Sequence, residues 1–438
     1  MPRVSLHTLG CKLNFAETST IAREFERHDF EVVPFGEPAD VTIINTCTVT
    51  EQAERKCRNM VRRAVASSPD PYVVVTGCYA QLRPGEIAEI DGVDLVIGNA
   101  EKPRLFELAG GFDRTAKTQV AVSCIDDVKE FGPAYSAAER TRAFLKIQDG
   151  CDYACSFCTI PAARGPSRSA TIDDTISQAR EIAGRGYAEI VLSGVNVGLF
   201  GRQHGVSLLD LLKELVLVDG IERLRISSIE PNLLTDEIID FVAESPRMMP
   251  HFHIPLQSGD DVVLGLMRRR YRRQVYTARV ERILSRMPDA CIGVDVIVGS
   301  PGETPESFET TTSFLTDLPA GYLHIFTYSE RPGTAAAKSG CADVPKDERR
   351  RRSRVLRSLS DQKRRQFHRR FVGEIRPVLW EDGGGRRTMH GFTDNYVKVR
   401  ATYDKMRAGS IEAVTLFRQE KDGVIVTDDE MILMEDLI

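Results

Sequence analysis

Apolar residues in the first hundred positions fall into short runs that alternate with longer segments of helical spacing. The runs "VSLHTLG", "VTIINT" and "YVVVTG" predict strands. The segments that follow them, such as the one in which Ile21 and Phe25 are four residues apart, are typical of helices. Strands that alternate with helices predict a parallel sheet covered by helices, so residues 1–112 are expected to form an N-terminal parallel α/β domain.

A second strand and helix series begins near Thr141, after an expected linker over residues 113–136 that has weaker periodicity. Its six predicted strands are "AFLKIQD", "EIVLSGVN", "RLRISSIE", "HFHIPLQ", "IGVDVIVG" and "YLHIFTYS". They predict a partial or complete β/α barrel over residues 137–345. Because barrel active sites lie at the carboxyl ends of the strands, several polar residues are expected at one mouth. These are Asn196, Ser227, Ser228, Glu230, Gln257 and Tyr328.

The last quarter of the chain combines a basic helix with a strand-rich segment. Residues 346–370 contain twelve Lys and Arg against three Asp and Glu, an excess that favours an anionic polymer as partner. We take Arg349, Arg350, Arg351 and Arg352 as candidate phosphate contacts, although a solvated helix face is the plainer interpretation. Residues 371–438 contain short strands broken by glycines, which predict a small antiparallel β barrel of a kind that often holds nucleic acid.

Composition narrows the class of protein. The 438 residues are 42% hydrophobic and 28% charged, as in ordinary globular proteins of two to four domains. No apolar run is long enough for a membrane span, and no export signal is evident, so we expect a cytoplasmic protein without a membrane partner. Ten cysteines in that setting favour metal ligands, reactive thiols or core positions over disulfides.

Three cysteines, Cys151, Cys155 and Cys158, are crowded into one loop at the end of the first barrel strand. Structural zinc usually takes four ligands, whereas iron–sulfur clusters are held by thiolates. Three thiols would fasten a four-iron cube and leave one iron free for a substrate or cofactor. Chance structural cysteines and a zinc knuckle are the alternatives. Three more cysteines, Cys11, Cys47 and Cys78, each follow a strand of the first sheet, so we expect them to converge at its carboxyl edge.

The C-x3-C-x2-C loop resembles that of the radical S-adenosylmethionine superfamily. The resemblance narrows to the methylthiotransferases, because matching motifs cover nearly the whole chain. They are "TLGCKLN", "INTCTVT", "VTGCYAQ", "LKIQDGCDYACSFCTIP", "ARGPSRS", "RISSIEP", "HIPLQSGDD", "MRRRY", "GVDVIVGSPGET" and "YSERPGT". The family implies a radical S-adenosylmethionine partial barrel with an auxiliary-cluster domain before it and an RNA-binding TRAM domain after it. One departure is Phe15, where relatives often have glutamine.

The resemblance also implies the cofactors and the reaction. Cys11, Cys47 and Cys78 match the ligands of an auxiliary 4Fe-4S cluster, and Cys151, Cys155 and Cys158 match those of the radical cluster. One S-adenosylmethionine would methylate a cluster-bound sulfur, and a second would supply the radical that removes hydrogen from C2 of an adenine. The motifs favour the branch that modifies N6-threonylcarbamoyladenosine at position 37 in the tRNA anticodon arm. The electron donor and the sulfur source are not indicated.

Three alternatives are kept open. A related enzyme would act on isopentenyladenosine in tRNA, and another would act on an aspartate of a ribosomal protein. A protein of a different class would be a non-catalytic iron–sulfur protein that binds RNA. Cleavage of S-adenosylmethionine would separate that last protein from an enzyme.

Further residues are weaker candidates for binding the cofactor. They are Tyr153, Asn196, Ser227, Glu230, Gln257, Gly293, Ile297, Gly299 and Glu303. Ordinary strand-end polarity, a glycine turn or shielding of the cluster would also account for them. The sequence predicts structural roles for the four remaining cysteines and packing inside the barrel for two histidines. These residues are Cys57, Cys124, Cys291, Cys341, His251 and His253.

Overall fold

The computed structural model describes residues 1–48, 50–136, 141–382, 387–420 and 423–427. Its N-terminal domain is a six-stranded, fully parallel sheet in the order β2-β1-β3-β4-β5-β6. The strands are β1 (Arg3–Thr8), β2 (Glu31–Val33), β3 (Val41–Thr46), β4 (Tyr72–Gly77), β5 (Leu95–Ile97) and β6 (Gln119–Ala121). The helices are α1 (Lys12–Arg27), α2 (Glu51–Ala66), α3 (Cys78–Leu82), α4 (Pro84–Ala88) and α5 (Leu105–Ala109). Every residue of β3 and β4 is buried, because helices cover both faces of the sheet.

The central domain is a partial β/α barrel whose six predicted strands are all present. Two sheets, β12-β11-β8-β7 and β13-β14-β15, are joined by single bridges from Leu224 to Met248 and from Ser228 to His253. The strands are β7 (Ala134–Tyr135), β8 (Arg142–Lys146), β11 (Glu189–Ser193), β12 (Arg223–Ile226), β13 (His251–Gln257), β14 (Cys291–Val298) and β15 (Tyr322–Thr327), with the small pair β9 (Gln148–Asp149) and β10 (Arg168–Ser169) beside them.

Helices pack on the outside of this barrel around a large apolar core of aliphatic residues. They are α6 (Ile160–Arg164), α7 (Ile172–Gly184), α8 (Leu208–Leu215), α9 (Asp236–Glu244), α10 (Asp261–Leu266), α11 (Arg273–Arg286), α12 (Pro305–Asp317) and α13 (Lys346–Arg369). The barrel is open between β7–β8 and β15, and helix α1 of the first domain packs on β7 and β8 at that opening. The first two domains therefore meet at the place where the barrel is incomplete.

The C-terminal domain is one curled six-stranded sheet in the order β19-β16-β17-β18-β21-β20. Its strands are β16 (Ile375–Glu381), β17 (Thr388–Thr393), β18 (Lys398–Thr402), β19 (Ile411–Thr415), β20 (Arg418–Gln419) and β21 (Ile425–Val426). Trp380 is fully buried in its core. A tight turn after β17 places Tyr396 against His251 of the barrel, with ring centroids 4.3 Å apart. This domain thus closes the end of the barrel at which the strands begin.

The structure adds detail to two expectations from the sequence. The expected linker over residues 113–136 is not wholly irregular, because β6 extends the first sheet and β7 pairs with β8 of the barrel. The C-terminal sheet is mixed, because β21 returns beside β18 in parallel while the other pairs are antiparallel. The final predicted positions of this domain, 428–438, lie outside the described residues. Among the described residues, no helix combines the length and apolar character needed to cross a bilayer.

Candidate iron–sulfur and cofactor site

Cys11, Cys47 and Cys78 converge as the sequence predicts. They follow β1, β3 and β4, which are adjacent in the sheet and run in the same direction. A side chain added at Gly10 would lie 2.8 Å from the Cβ atom of Cys47, so the loop that carries Cys11 passes directly over Cys47. Burial raises the pKa of the Cys11 thiol, and the nearby charge of Cys78 contributes to the increase.

Three of the six cysteines follow a glycine in the left-handed region. The φ angles are +111° at Gly10, +97° at Gly77 and +66° at Gly150, which precede Cys11, Cys78 and Cys151. A Cβ atom at Gly77 would collide with the Thr46 carbonyl, and one at Gly150 would collide with the Pro166 carbonyl. Glycine avoids both the unfavourable φ and these contacts, so it allows each strand to turn sharply and present the next thiol.

Asn14 ties the first two auxiliary cysteines together. Its amide nitrogen donates to the carbonyls of Leu9 and Thr46, at 2.8 and 2.9 Å, on either side of the gap between Cys11 and Cys47. On the other side of Cys47, Arg331 donates to Thr48 at 2.9 Å and pairs with Glu54. Cys57 lies behind Cys47, and its thiol donates to the Cys47 carbonyl at 3.4 Å. Cys57 is fully buried, in agreement with its predicted structural role.

The second triad lies in the loop after β8 and β9. Backbone amides of Tyr153 and Ile160 donate to the sulfurs of Cys151 and Cys158, both at 3.4 Å. Nη1 of Arg269 lies 3.2 Å from the sulfur of Cys155, and Arg269 also pairs with Glu230. Burial raises the pKa of Cys151 to about 11 and that of Cys158 to about 12. These thiols therefore carry protons until a metal displaces them.

Neither triad has the geometry of a single-ion site. In the part of the chain that the structure describes, the one group of His, Cys, Asp or Glu ligands within 4.8 Å of one another is His253, Asp295 and His324. A four-iron cube takes each thiolate on a different iron and so suits sulfurs that are farther apart. Three thiols at each site, presented by strand ends in the first triad and by one loop in the second, fit such a cube with one iron left without a protein thiolate.

An ionic network connects the two triads. Arg164, just after the loop that carries the second triad, donates to Asn14 at 2.6 Å, to Glu17 at 2.9 Å and to Asp149 at 3.0 Å. Lys146 contacts the same two carboxylates, at 2.9 and 2.7 Å. Although burial alone would raise it, the pKa of Glu17 is held well below its usual range by Arg164, Lys102 and Lys146. The network fixes the first domain against the barrel between the two sets of thiols.

Several buried polar atoms at the barrel mouth have no partner within the described residues. They are both side-chain amide atoms of Asn196, Oε1 of Gln257, the hydroxyl of Ser300 and the hydroxyl of Tyr328. Leaving such atoms unpaired costs free energy, so they indicate a polar ligand at this position. S-adenosylmethionine, with its amino, carboxylate and ribose groups, fits this set. Asn196, Gln257 and Tyr328 were expected there, whereas Ser300 was missed.

The other predicted cofactor residues divide into two groups. Ser227 is buried directly after β12, and Ile297 is partly buried on β14. Arg269 contacts both Glu230 and the sulfur of Cys155. The Tyr153 hydroxyl accepts from Asn232 at 2.9 Å. Gly293, Gly299 and Glu303 have close contacts with other parts of the protein. A Cβ atom at Gly293 would enter the Tyr322 ring, and one at Gly299 would enter the Arg349 side chain. The Glu303 carboxylate accepts from the Gly299 amide and lies 3.4 Å from Arg352.

Two of the four predicted phosphate contacts are wrong, because the side chains are buried. Arg349 donates to the Val344 carbonyl at 2.7 Å, and Arg352 donates to the Glu303 carbonyl at 3.0 Å, so both fasten α13 to the barrel. Arg350 and Arg351 are exposed, and each forms an ion pair with a neighbour on the same helix. The period of the helix decides this difference, since residues three apart share the face that is turned to the barrel.

Sequence reasoning also missed the charged residues that position both triads. Arg164 and Arg269 stand inside the quoted motifs "ARGPSRS" and "MRRRY", and Asn14 stands in "TLGCKLN", but spacing alone gave them no role. His251 and His253 do lie inside the barrel as predicted. His251 bonds to the Tyr322 hydroxyl at 2.8 Å, and His253 bonds to Asp295 at 2.9 Å.

Comparison with known proteins identifies the family. A model described as "Uncharacterized protein family UPF0004" matches residues 3–98, and one described as "Radical SAM superfamily" matches residues 145–315. The "Threonylcarbamoyladenosine tRNA methylthiotransferase MtaB" of Bacillus subtilis is 37% identical over 98% of this chain and 98% of its own length. The chain belongs to the tRNA methylthiotransferase family. The cofactors of this family are two 4Fe-4S clusters and S-adenosylmethionine, which agrees with two thiol triads and the unpaired polar atoms.

Other relatives show the breadth of the family. The protein of the same name from Thermotoga maritima is 34% identical over 99% of this chain and 98% of its own length. The "tRNA-2-methylthio-N(6)-dimethylallyladenosine synthase" of Pseudomonas aeruginosa is also 34% identical, over 87% of each chain. Among solved structures, the radical S-adenosylmethionine methyltransferase TsrM from Kitasatospora setae superposes with a TM-score of 0.57 at 16% identity, covering 76% of this chain and 74% of that one. That likeness shows a shared fold.

Proposed function

We propose that this protein adds a methylthio group to C2 of N6-threonylcarbamoyladenosine at position 37 of tRNA. The observation that carries the proposal is the convergence of two three-cysteine sets on one interface, joined through Arg164, in a chain with full-length relatives that bear this activity in their names. C2 of adenine is an aromatic carbon that general acids and bases do not activate, so a site with two clusters suits the reaction.

We assign Cys151, Cys155 and Cys158 to the radical cluster and Cys11, Cys47 and Cys78 to the auxiliary cluster. When bound, the first cluster with S-adenosylmethionine supplies a hydrogen-abstracting radical, and the second supplies the sulfur. The roles of the chain are binding and positioning. Arg269 holds the Cys155 sulfur in place, and its charge is balanced by Glu230. Asn196, Gln257 and Ser300 offer the polar atoms that hold S-adenosylmethionine beside the radical-cluster loop.

The exposed arginines of α13 are proposed to bind the anticodon arm. Arg350, Arg351 and Arg354 lie on the outer face of the helix. Arg350 pairs with the exposed Asp347, and Arg351 pairs with the partly exposed Glu348, which also contacts the buried Arg352. Ion pairs near the surface contribute little, so a phosphate can replace them at low cost. Arg354 has no ion pair within the described residues. These residues would provide affinity for RNA, while the modified base enters the barrel.

Nucleoside mass analysis tests the substrate. tRNA from cells that lack this protein should contain N6-threonylcarbamoyladenosine but not its 2-methylthio derivative, and restoring the gene should restore the product. The purified, anaerobically reconstituted protein should make the same nucleoside from tRNA that carries the threonylcarbamoyl group. Formation of 2-methylthio-isopentenyladenosine instead, or modification of a ribosomal aspartate, would overturn the substrate and leave the radical chemistry in place.

A further inference from the structure

A second polar chamber lies deeper in the barrel, between the start of α1 and the first halves of the strands. Its volume is about 270 Å³. Its lining includes Cys11 and Lys12 where α1 begins, Arg142 and Arg225 on β8 and β12, and the rings of His251 and Tyr396. A group bound here would lie next to the proposed auxiliary cluster, which makes the chamber a place where part of the substrate would sit.

The chamber has more positive than negative charge. Arg225 is matched by a two-point contact with Glu189, at 2.9 and 3.3 Å, and Arg142 is matched by Glu381 at 2.7 Å. Lys12 lines the chamber, is exposed, and has no hydrogen bond or ion pair within the described residues. Its ammonium group lies 5.8 Å from the centroid of the Phe144 ring. Within the described residues, one cation is therefore left without a direct ion pair beside two arginines.

A second, independent observation also points to a ligand. His251 is only 6% exposed, its Nε2 atom bonds to Tyr322, and its Nδ1 atom has no partner among the described residues. Its ring is stacked on Tyr396, which in turn lies 5.1 Å from the Arg225 guanidinium. The chamber thus combines an unmatched ammonium, an unpaired ring nitrogen and aromatic faces, and these are the groups that bind a carboxylate on a planar or amide-bearing ligand.

We infer that this chamber, with Lys12 as its principal cation, binds the carboxylate of the threonylcarbamoyl substituent and so selects the substrate. The inference rests on the proposed function. The substituent of N6-threonylcarbamoyladenosine ends in a carboxylate and a hydroxyl, whereas an isopentenyl group is wholly apolar. Placing an isopentenyl group among these cations would desolvate charge without replacing its hydrogen bonds, which disfavours that substrate.

Lys12 could attract either the carboxylate of the modified base or a phosphate of the RNA backbone, because both are anions. The experiment distinguishes these two ligands. Two anticodon stem-loop RNAs are compared, one with N6-threonylcarbamoyladenosine and one with its neutral methyl ester. The two compete in a single reaction with the reconstituted enzyme, so the product ratio gives the ratio of kcat/KM whatever the fraction of loaded protein. Fluorescence anisotropy of each labelled RNA gives Kd without requiring turnover.

The native protein should prefer the acid over the ester by at least about tenfold, as expected for a hydrogen bond between charged groups. Lys12→Met should remove the preference, and Lys12→Arg should retain most of it. Arg142→Gln, a second change in the chamber, should reduce the preference even if Lys12→Met lowers iron content. Lys117→Met, on an exposed surface of the first domain, serves as the control and should leave the ratio unchanged.

If the native protein used the acid and the ester equally well, the inference would be overturned. The proposed function would still stand, because the methylthiolated product had formed. If Lys12→Met weakened the binding of both RNAs equally, Lys12 would instead contact a phosphate of the RNA backbone, which would also overturn the inference. Failure to modify the acid RNA at all would instead refute the proposed function.

Discussion

Nη1 of Arg164 lies 2.9 Å from Oε1 of Glu17, across the interface between the barrel and the first domain. Arg164 follows the radical-type cysteine loop, and Glu17 is on the helix that begins directly after Cys11. Both side chains are buried. This ion pair belongs to the buried network that holds the two thiol sets, far apart in the sequence, at a set distance. Chemistry that passes a group from one site to the other depends on that distance.

Replacement of Arg164 tests this link. Arg164→Met keeps the apolar volume but leaves Glu17 and Asp149 with fewer partners, so the free energy of unfolding should fall by about 3 kcal/mol. Lys146 and Lys102 remain and limit the loss. Urea denaturation measures the stability, and the number of 5'-deoxyadenosine molecules formed per methylthio product measures positioning. This number should rise. Arg104→Met, which breaks an exposed pair with Glu107, is the control and should change neither quantity.

The two triads should have separable roles. Anaerobic reconstitution of the native protein should give about eight irons per chain, and either triple Cys→Ala variant should hold about half of them. The variant at Cys151, Cys155 and Cys158 should form no 5'-deoxyadenosine. The variant at Cys11, Cys47 and Cys78 should still form some but should give no methylthiolated tRNA. Cys124→Ala, at an exposed cysteine, should behave as the native protein.

A radical product from the first triple variant, or a methylthiolated product from the second, would contradict the assignment of that triad.

Gly77 should control the auxiliary cluster through backbone geometry. Gly77→Ala places a Cβ atom against the Thr46 carbonyl at a φ of +97°, where L-residues are strained by roughly 1–2 kcal/mol before any collision. The turn into Cys78 should shift, and iron content should fall towards that of a single cluster. Gly85→Ala, in the same domain with no atom within 4 Å of the added group, should keep its iron. Full iron loading in Gly77→Ala would show that the turn does not position the ligand.

The outer arginines of α13 should govern affinity for tRNA. Replacing Arg350, Arg351 and Arg354 with Gln removes three exposed charges, so the slope of log K against log salt should flatten by up to about two to three units. Turnover at saturating tRNA should change much less. Replacing Arg27 and Arg104, exposed on the first domain, should leave the slope unaltered. If the α13 variant kept the slope of the native protein, this helix would not be part of the RNA interface.

His368 should make stability depend on pH. Burial lowers the pKa of His368 to about 4, and its Nδ1 atom lies 2.7 Å from the Gly423 carbonyl oxygen. The unfolded chain protonates this histidine near pH 6.5, whereas the folded chain does not. The stability that the neutral histidine contributes is therefore complete above about pH 6.5 and is lost as pH falls towards 4. Urea titrations from pH 7 to 4 should show a shallower decline for His368→Gln than for the native protein. The exposed His28→Gln should retain the native slope.

The sequence alone determined the secondary-structure elements and the grouping of the cysteines into two triads. The pattern of hydrophobic residues predicted the strands of both parallel sheets, because a strand that is buried on both faces has a nearly continuous run of apolar residues. The position of Cys11, Cys47 and Cys78 after three strands predicted their convergence, since parallel strands end at a common edge. Cys151, Cys155 and Cys158 were predicted from spacing because a single loop holds them.

Tertiary structure decided which side chains face which partner. Arg349 and Arg350 are adjacent and equally basic, yet one is buried in the barrel wall and the other is exposed, because the helix rotates between them. The pairing of Arg164 with Glu17 and the meeting of Lys12 with Arg142 join residues more than a hundred positions apart. No local pattern encodes such contacts. They arise only when the first domain closes the open side of the barrel, and they set the charge of the chamber in which the substrate is proposed to lie.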